Sequence, residues 1–438
     1  MISGGARRAR LEALFREALV AVDASAAVQR AVVRHGDELA IAGVPLDPRA
    51  RLAVLAVGKA AAGMAAALER LAGDRIDAGL AVTKDGHGAP LERIALREAA
   101  HPVPDARSPR VAREAIHLVQ AAGRADVLVV LLSGGASSLL SAPAPGLTLA
   151  DVAATTTALL AAGVDIEGLN AVRKHLSAVA GGRLAGHAAC RRIEVLAISD
   201  VPGDHLDVIG SGPLAPDPTT FADALAVLDE AGLRDRVPAA VRAHLEAGER
   251  GEAEETPKPG DPDLARVRTT VLANNRMALE AVQAAAEREG RRAVVLEGGL
   301  RGEAREVGRR LAALAGSVAG SRPACLIAGG ETTVNVRGGG RGGRSQELAL
   351  AAALGLEGRA GAAILAAGTD GTDGPTEAAG AYADGETVAR GRDRGVDARA
   401  ALADNDAYTF FAAEGGLFCT GPTGTNVMDL ALLEIDAR

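Results

Sequence analysis

Short apolar runs alternating with helical patterns constrain this chain more than any other feature of its sequence. Leu52 to Val57, Gly79 to Thr83, Val127 to Leu132 and Ile193 to Ile198 read as buried strands. Between them, Ala60 to Leu71, Pro109 to Ala122 and Leu149 to Ala162 carry Ala, Leu, Glu and Arg in helical patterns. Such alternation implies parallel βαβ units, and so an α/β sheet with helices on both faces. A second series runs through Thr270 to Ala273, Ala293 to Leu296, Cys325 to Ala328 and Ala362 to Ala367. Between the two series, Gly248 to Asp263 is charged, rich in Pro and Gly, and without large apolar residues, which reads as a linker or exposed excursion. A chain of 438 residues exceeds one typical domain. The expected division is 1–250, a linker at about 248–263, and 264–438, with no internal repeat.

Composition excludes several function classes. The chain has no Trp, 2% aromatic residues and a formal charge of −8, which argues against a base-stacking nucleic-acid surface. Its basic clusters, Arg7-Arg8-Ala9-Arg10 and the surroundings of Arg322, are short and lie among acids, so they read as solvated faces. Cys190, Cys325 and Cys419 are far apart and lack CxxC spacing, which points to neither disulfides nor zinc but to a reducing, cytoplasmic compartment. Leu11, Leu14, Phe15, Ala18, Leu19 and Val22 recur at helical spacing, so the N-terminus reads as a packed amphipathic helix. No apolar run approaches the length of a membrane span.

The chemistry is concentrated where these runs end. Val57-Gly58-Lys59-Ala60 places a lysine at a helix start, against the helix dipole, and an anionic ligand is one reason for that placement. It lacks the Walker A pattern. Ser133-Gly134-Gly135-Ala136-Ser137 follows an apolar strand and can offer N–H groups and hydroxyls to a phosphate or carboxylate; it is not a nucleophile elbow. Asp200 stands at a strand's carboxyl end in Ser199-Asp200-Val201-Pro202-Gly203-Asp204, ahead of Gly210-Ser211-Gly212-Pro213. Gly330-Glu331-Thr332-Thr333 repeats the style, followed by a glycine loop with Arg337, Arg341 and Arg344 before the helical run Leu348 to Leu354. That loop meets GxGxxG only because it is dense in glycine. Thr369-Asp370-Gly371-Thr372-Asp373-Gly374 sets two carboxylates three apart in a flexible turn, a pattern that can hold Mg²⁺ or cap backbone. Gly421-Pro422-Thr423-Gly424-Thr425-Asn426 is a further polar turn, here before an apolar helix. Together these loops suggest a phosphorylated ligand held in a cleft.

These segments, with His101-Pro102-Val103-Pro104-Asp105 and Gly343-Arg344-Ser345-Gln346-Glu347, run in order from near residue 10 to the C-terminus. In them the chain resembles the type II glycerate 2-kinase family, whose C-terminal half is called MOFRL. The resemblance implies two α/β domains, the first Rossmann-like with a mostly parallel sheet, the second smaller, and an active site in the cleft between them. It also implies ATP-dependent phosphorylation of the 2-hydroxyl of D-glycerate. By that similarity Lys59 and Arg344 neutralise the glycerate carboxylate and the transferring phosphoryl group, and Asp200 orients or deprotonates the hydroxyl. Asp370 and Asp373 are assigned to Mg²⁺. Ser133, Gly134, Gly135, Ala136, Ser137, Ser211, Glu331, Thr423 and Asn426 are expected near substrate or nucleotide. His101, Asn170, Lys174, Asn274 and Asn275 are second-rank candidates, each with a structural alternative as a turn residue, a solvated helix face or a cap. Two other readings stand beside this one: an NAD(P)H-dependent reductase of hydroxypyruvate or tartronate semialdehyde, and a non-enzymatic ligand-binding protein.

Overall fold

The computed structural model describes residues 4–123, 127–318 and 323–437; Arg322 lies outside them. The chain divides into two compact units, one of Ala24–Leu272 and the other of Met1–Asp23 with Ala273–Arg438. The boundary therefore differs from the expected one at both ends. The first helix joins the C-terminal unit, and the charged 248–263 stretch belongs to the unit that precedes it. That stretch is held by hydrogen bonds: Glu255 accepts from the backbone N–H of Phe221 at 3.0 Å and meets the His175 ring at 2.8 Å, while the Thr256 hydroxyl donates to Asp217 at 3.1 Å. A polar composition does not by itself make a linker when its side chains find partners.

In the first unit a small antiparallel sheet, β1 (Val32–His35), β2 (Glu38–Ile41) and β3 (Val44–Pro45), precedes the main one. The main sheet contains β4 (Leu52–Val57), β5 (Ile76–Lys84), β6 (Ala95–Ala99), β7 (Val127–Leu132), β8 (Arg192–Ile198) and β9 (Val267–Ala273), in the order β6-β5-β4-β7-β8-β9. Pairing from β6 to β8 is parallel, as the alternation predicts. All six residues of both β4 and β7 are buried, because helices cover both faces of a parallel sheet. The helix Leu149–Ala161 starts with a capping box in which Thr148 and Asp151 satisfy each other's backbone N–H.

The second unit has β10 (Arg292–Val295), β11 (Leu300–Glu303), β12 (Ala324–Thr333), β13 (Ala362–Gly368), β14 (Gly380–Asp384), β15 (Leu417–Phe418) and β16 (Asp429–Ile435). Its sheet is mixed: β10 and β11 run parallel to β12, whereas β16 lies antiparallel between β12 and β13. The closing apolar run, expected as a helix, is thus a central strand. Leu430 to Leu433 is a run too short and too uniformly apolar for periodicity to separate the two states, and burial on both faces settles it as a strand.

The first helix, Gly4–Ala21, buries Leu11, Leu14, Phe15 and Ala18, as its spacing predicts. Its arginines are not a solvated face. Arg7 pairs with Asp436 at 2.5 Å, Arg10 with Glu434 at 2.6 Å, and Arg8 donates to the carbonyls of Gly415 and Leu417. Glu434, 1% exposed on β16, also meets Arg291 at 3.0 Å. Burial pushes its carboxyl upward, opposed by Arg291, Arg10 and Arg7. Glu434→Gln removes the buried carboxylate that Arg10 and Arg291 share and leaves Arg291 only a longer contact with Glu289 at 3.7 Å, and we expect a loss of about 3 kcal/mol of stability, read as a lowered urea midpoint by circular dichroism.

Candidate active site

In the first unit the chain lays down β4, moves outward through β5 and β6, then returns to place β7 and β8 on the other side of β4. The winding direction reverses between β4 and β7, so the carboxyl ends of these two strands open the crevice in which doubly wound sheets take ligands. Lys59 follows β4 and the Ser133 turn follows β7. Three hydrogen bonds lock them together: Ser133 N–H to the Val57 carbonyl at 3.0 Å, Lys59 N–H to the Gly134 carbonyl at 2.9 Å, and Ala60 N–H to the Ser133 hydroxyl at 3.0 Å. The approach is so close that a Cβ on Gly58, whose φ is +128°, would lie 2.2 Å from Ser133 Oγ. A Cβ on Gly135 would lie 2.9 Å from the His101 ring and 3.4 Å from Lys59 Cγ. Lys59, His101 and Gly135 are therefore brought to one point.

The other expected residues of this unit differ in burial and in partners. Ser133 is fully buried, and its hydroxyl caps the chain entering the helix Ala61–Ala72. Gly134 and Ala136 are buried, while Ser137 is half-buried and lines a pocket with Ser211. Asn170 is buried on the helix Ile166–His175. The side chain of Lys174 does not form a solvated face: 2% exposed, it reaches Asp207 at 3.1 Å and Asp217 at 3.3 Å. Asp200 lies two residues beyond β8, half-buried, at the same end of the sheet as Lys59.

In the second unit, β16 runs against both neighbours, so its amino end meets the carboxyl ends of β12 and β13. Asp429 pairs in register with Gly330 on one side and Gly368 on the other. Arg344, first residue of the helix Arg344–Leu356, grips Asp429 with Nε at 2.5 Å and Nη2 at 3.0 Å, and its Nη1 meets Glu331. Charge on Asp429 and Glu331 raises the Arg344 pKa even though burial opposes it. The side chain nevertheless remains 35% exposed. The glycine loop ahead of it is not loose: Asn405 accepts from the N–H groups of Arg337 and Gly338, Asp404 from that of Gly339, and Asp406 from that of Arg341.

Asp373, expected at a metal, is buried and engaged with backbone. Its two oxygens accept from Ser345 N–H at 3.1 Å and Gln346 N–H at 2.8 Å, capping the helix that carries Arg344. Asp370 closes a local turn, accepting from the N–H and hydroxyl of Thr372. Among the described residues no group of three His, Cys, Asp or Glu is arranged to hold a metal. Thr423 donates to the Thr369 carbonyl at 2.5 Å and Asn426 accepts from Met428 N–H at 3.4 Å, so both stitch the loop ahead of β16. Asn274 caps the helix Asn275–Arg288 by accepting from Met277 N–H at 3.0 Å. Asn275, a second-rank candidate together with Asn274, is buried, and its amide donates to the carbonyls of Val427 and Asp429. Sequence reasoning passed over Asp429, whose signal was a lone acid at the entrance to an apolar run.

A domain family of unknown function, DUF4147, matches residues 10–246, and the MOFRL family matches residues 324–429. The chain is 40% identical over 431 residues to the glycerate 2-kinase of Pyrococcus horikoshii, covering 97% of this chain and 96% of that protein. The chain belongs to the glycerate kinase family. A crystal structure of glycerate kinase from Thermotoga maritima matches with a TM-score of 0.83 at 38% identity, covering 99% of this chain and 100% of that one. An Agrobacterium vitis protein with a provisional hydroxypyruvate reductase name is 43% identical over 399 residues, covering 90% of this chain and 89% of that protein. Family membership thus brings two activity names, and the site's chemistry has to choose between them.

Burial, reinforced by the charge of Asp429, pushes the Asp373 carboxyl up to about 7 from an ordinary 3.8, against two amide donors and Arg344. With the folded pKa above the unfolded one, the stability this group contributes is complete below about 3.8 and is lost as pH rises through 7. The wild type should therefore lose stability across that window relative to Asp373→Asn, which does not titrate; parallel urea titrations at pH 4.5 and 7.5 check this.

Proposed function

We propose that this protein transfers the γ-phosphoryl group of ATP to the 2-hydroxyl of D-glycerate. The observation that carries the reading is the placement of Lys59 at the switch point of the first unit, against Gly135 and His101. A cation at that crevice suits an anionic substrate, and phosphoryl transfer asks a protein for positioning and charge neutralisation more than for covalent chemistry. In this mechanism Lys59 and Arg344 offset the charge of the carboxylate and the transferring group. Arg344 enters the reaction already oriented, because Asp429 grips its fork on one side. Asp200 receives the proton of the 2-hydroxyl as its oxygen attacks the γ-phosphorus; the bond to the β–γ bridging oxygen breaks and ADP leaves. The proposal places the enzyme in the cytoplasm, with which three free cysteines agree. No helix among the described residues is long and apolar enough to cross a membrane.

Hydride transfer is the reading that the Agrobacterium name favours. It asks for a glycine fingerprint in the tight turn between a strand and a helix. The GxGxxG match at Gly338, Gly340 and Gly343 starts five residues beyond β12, and the side chains of Asp404, Asn405 and Asp406 occupy its N–H groups. ADP release from ATP and D-glycerate, with no NADH oxidation on hydroxypyruvate, is the expected result; the reverse pattern would sink the kinase reading. A ³¹P spectrum of the product should show 2-phosphoglycerate.

Lys59→Ala should lower kcat roughly 10²-fold with an unchanged circular dichroism spectrum, the size expected when a charge stabilising the transition state is removed. Arg344→Lys keeps the charge but loses the planar fork, and a similar direction of change is expected. Unchanged turnover in either variant would remove that residue from the mechanism.

A further inference from the structure

The helix Ile166–His175 ends in three consecutive basic residues, and two of them are satisfied. Lys174 is held by Asp207 and Asp217, and His175 by the Ala171 carbonyl and Glu255. The side chain of Arg173, which precedes them and is half-buried, has no hydrogen bond or ion pair among the described residues. It lines a pocket beside the switch point, whose walls include Val57 and Leu132 at the ends of β4 and β7 and the turn residues Ser137 and Ser211. Neither of those two hydroxyls has a hydrogen-bond partner among the described residues. Ser211 is also held in the left-handed region, φ 63°, where a non-glycine residue is strained. Close by, a Cβ on Gly210 would lie 2.9 Å from Ala136, which packs the Ser211 turn against the one following β7.

A guanidinium has five donors and no acceptor, so a partly desolvated one without a carboxylate is costly. Burial alone acts on the Arg173 pKa and pulls it down. In a pocket whose walls are otherwise mostly apolar, one unpartnered guanidinium and two unpartnered hydroxyls, each able to turn its O–H inward, can together donate to an oxyanion. We propose that Arg173, with Ser137 and Ser211, binds a substrate oxyanion, either the carboxylate of glycerate or a phosphate of the nucleotide. This site extends the kinase reading and rests on it for the identity of the two candidate ligands.

The test uses the full chain as Arg173→Met and Arg173→Lys, with calorimetric titration of D-glycerate alone and of ATP alone, and thermal melts without ligand. We expect Arg173→Met to weaken one of the two ligands roughly 10- to 100-fold, with the lysine variant in between; the ligand affected identifies the oxyanion. Its unliganded melting temperature should equal or exceed that of the wild type, since an uncompensated charge has gone. Affinities within twofold of wild type for both ligands would overturn the proposal, and so would a lowered melting temperature with unchanged affinities, the mark of a packing residue. Should wild-type protein release no ADP while Arg173→Met still loses affinity, the site stands and the kinase reading falls.

Discussion

Asp429 can lie under Arg344 only because the last strand runs against both of its neighbours. Reversing β16 would carry its amino end to the far side of the sheet, away from the carboxyl ends of β12 and β13. In the observed register Asp429 is flanked by Gly330 and Gly368, and a Cβ on Gly368 would approach its Oδ1 to 3.3 Å. The surrounding loops then have to converge. Thr369 accepts from Val427 N–H and donates to the Met428 carbonyl, which ties the turn after β13 to the chain entering β16. The aspartate-rich loop and the Gly-Pro-Thr-Gly-Thr-Asn loop are one structure, closed around the base of Arg344.

Small residues make the helix that carries this arginine rigid. Ala349, Ala351, Ala352 and Ala353 are all fully buried in the helix Arg344–Leu356, packed against the helix Ala304–Ser317. A Cβ on Gly308 would fall 2.2 Å from the Leu348 carbonyl, and one on Gly355 would fall 2.6 Å from Ala312 Cβ. Two helices this close leave each other little room to move. The scarcity of aromatic residues in the sequence is thus the composition of close helix packing, and its consequence at the site is that Arg344 presents its fork from a fixed base.

Much of this was legible in the sequence. The strands of the first unit, its parallel order and the position of Lys59 and Ser133 at strand ends follow from runs such as Val127–Leu132, which suit a sheet covered on both faces. The second unit was harder, because Leu430 to Leu433 in Asp429–Ile435 is a short, uniformly apolar run and a strand there looks like a helix. That one ambiguity hid the partner of Arg344. Side-chain roles were less legible still, since Asp370, Asp373, Asn274 and Thr423 are residue types that bind ligands and cap backbone with equal ease. Only the hydrogen bonds separate the uses. Arg173 and Lys174 are adjacent in sequence and alike in charge, yet one is spent on two aspartates and the other lines a pocket unpaired.

The two units handle a cation in opposite ways. Around Arg344 three acids are gathered, Asp429, Glu331 and Asp373, and three ionised carboxylates beside one guanidinium would repel each other. Holding the Asp373 proton toward neutral pH relieves that repulsion, and the cost falls on a residue whose task is to cap the Arg344 helix. The arginine's charge is then largely balanced, so it contributes direction, through a fixed planar fork, more than net attraction. Arg173 is the converse: no carboxylate balances it, so the oxyanion proposed for its pocket would meet an uncompensated charge. A chain that used two unpaired arginines would bear the desolvation cost twice.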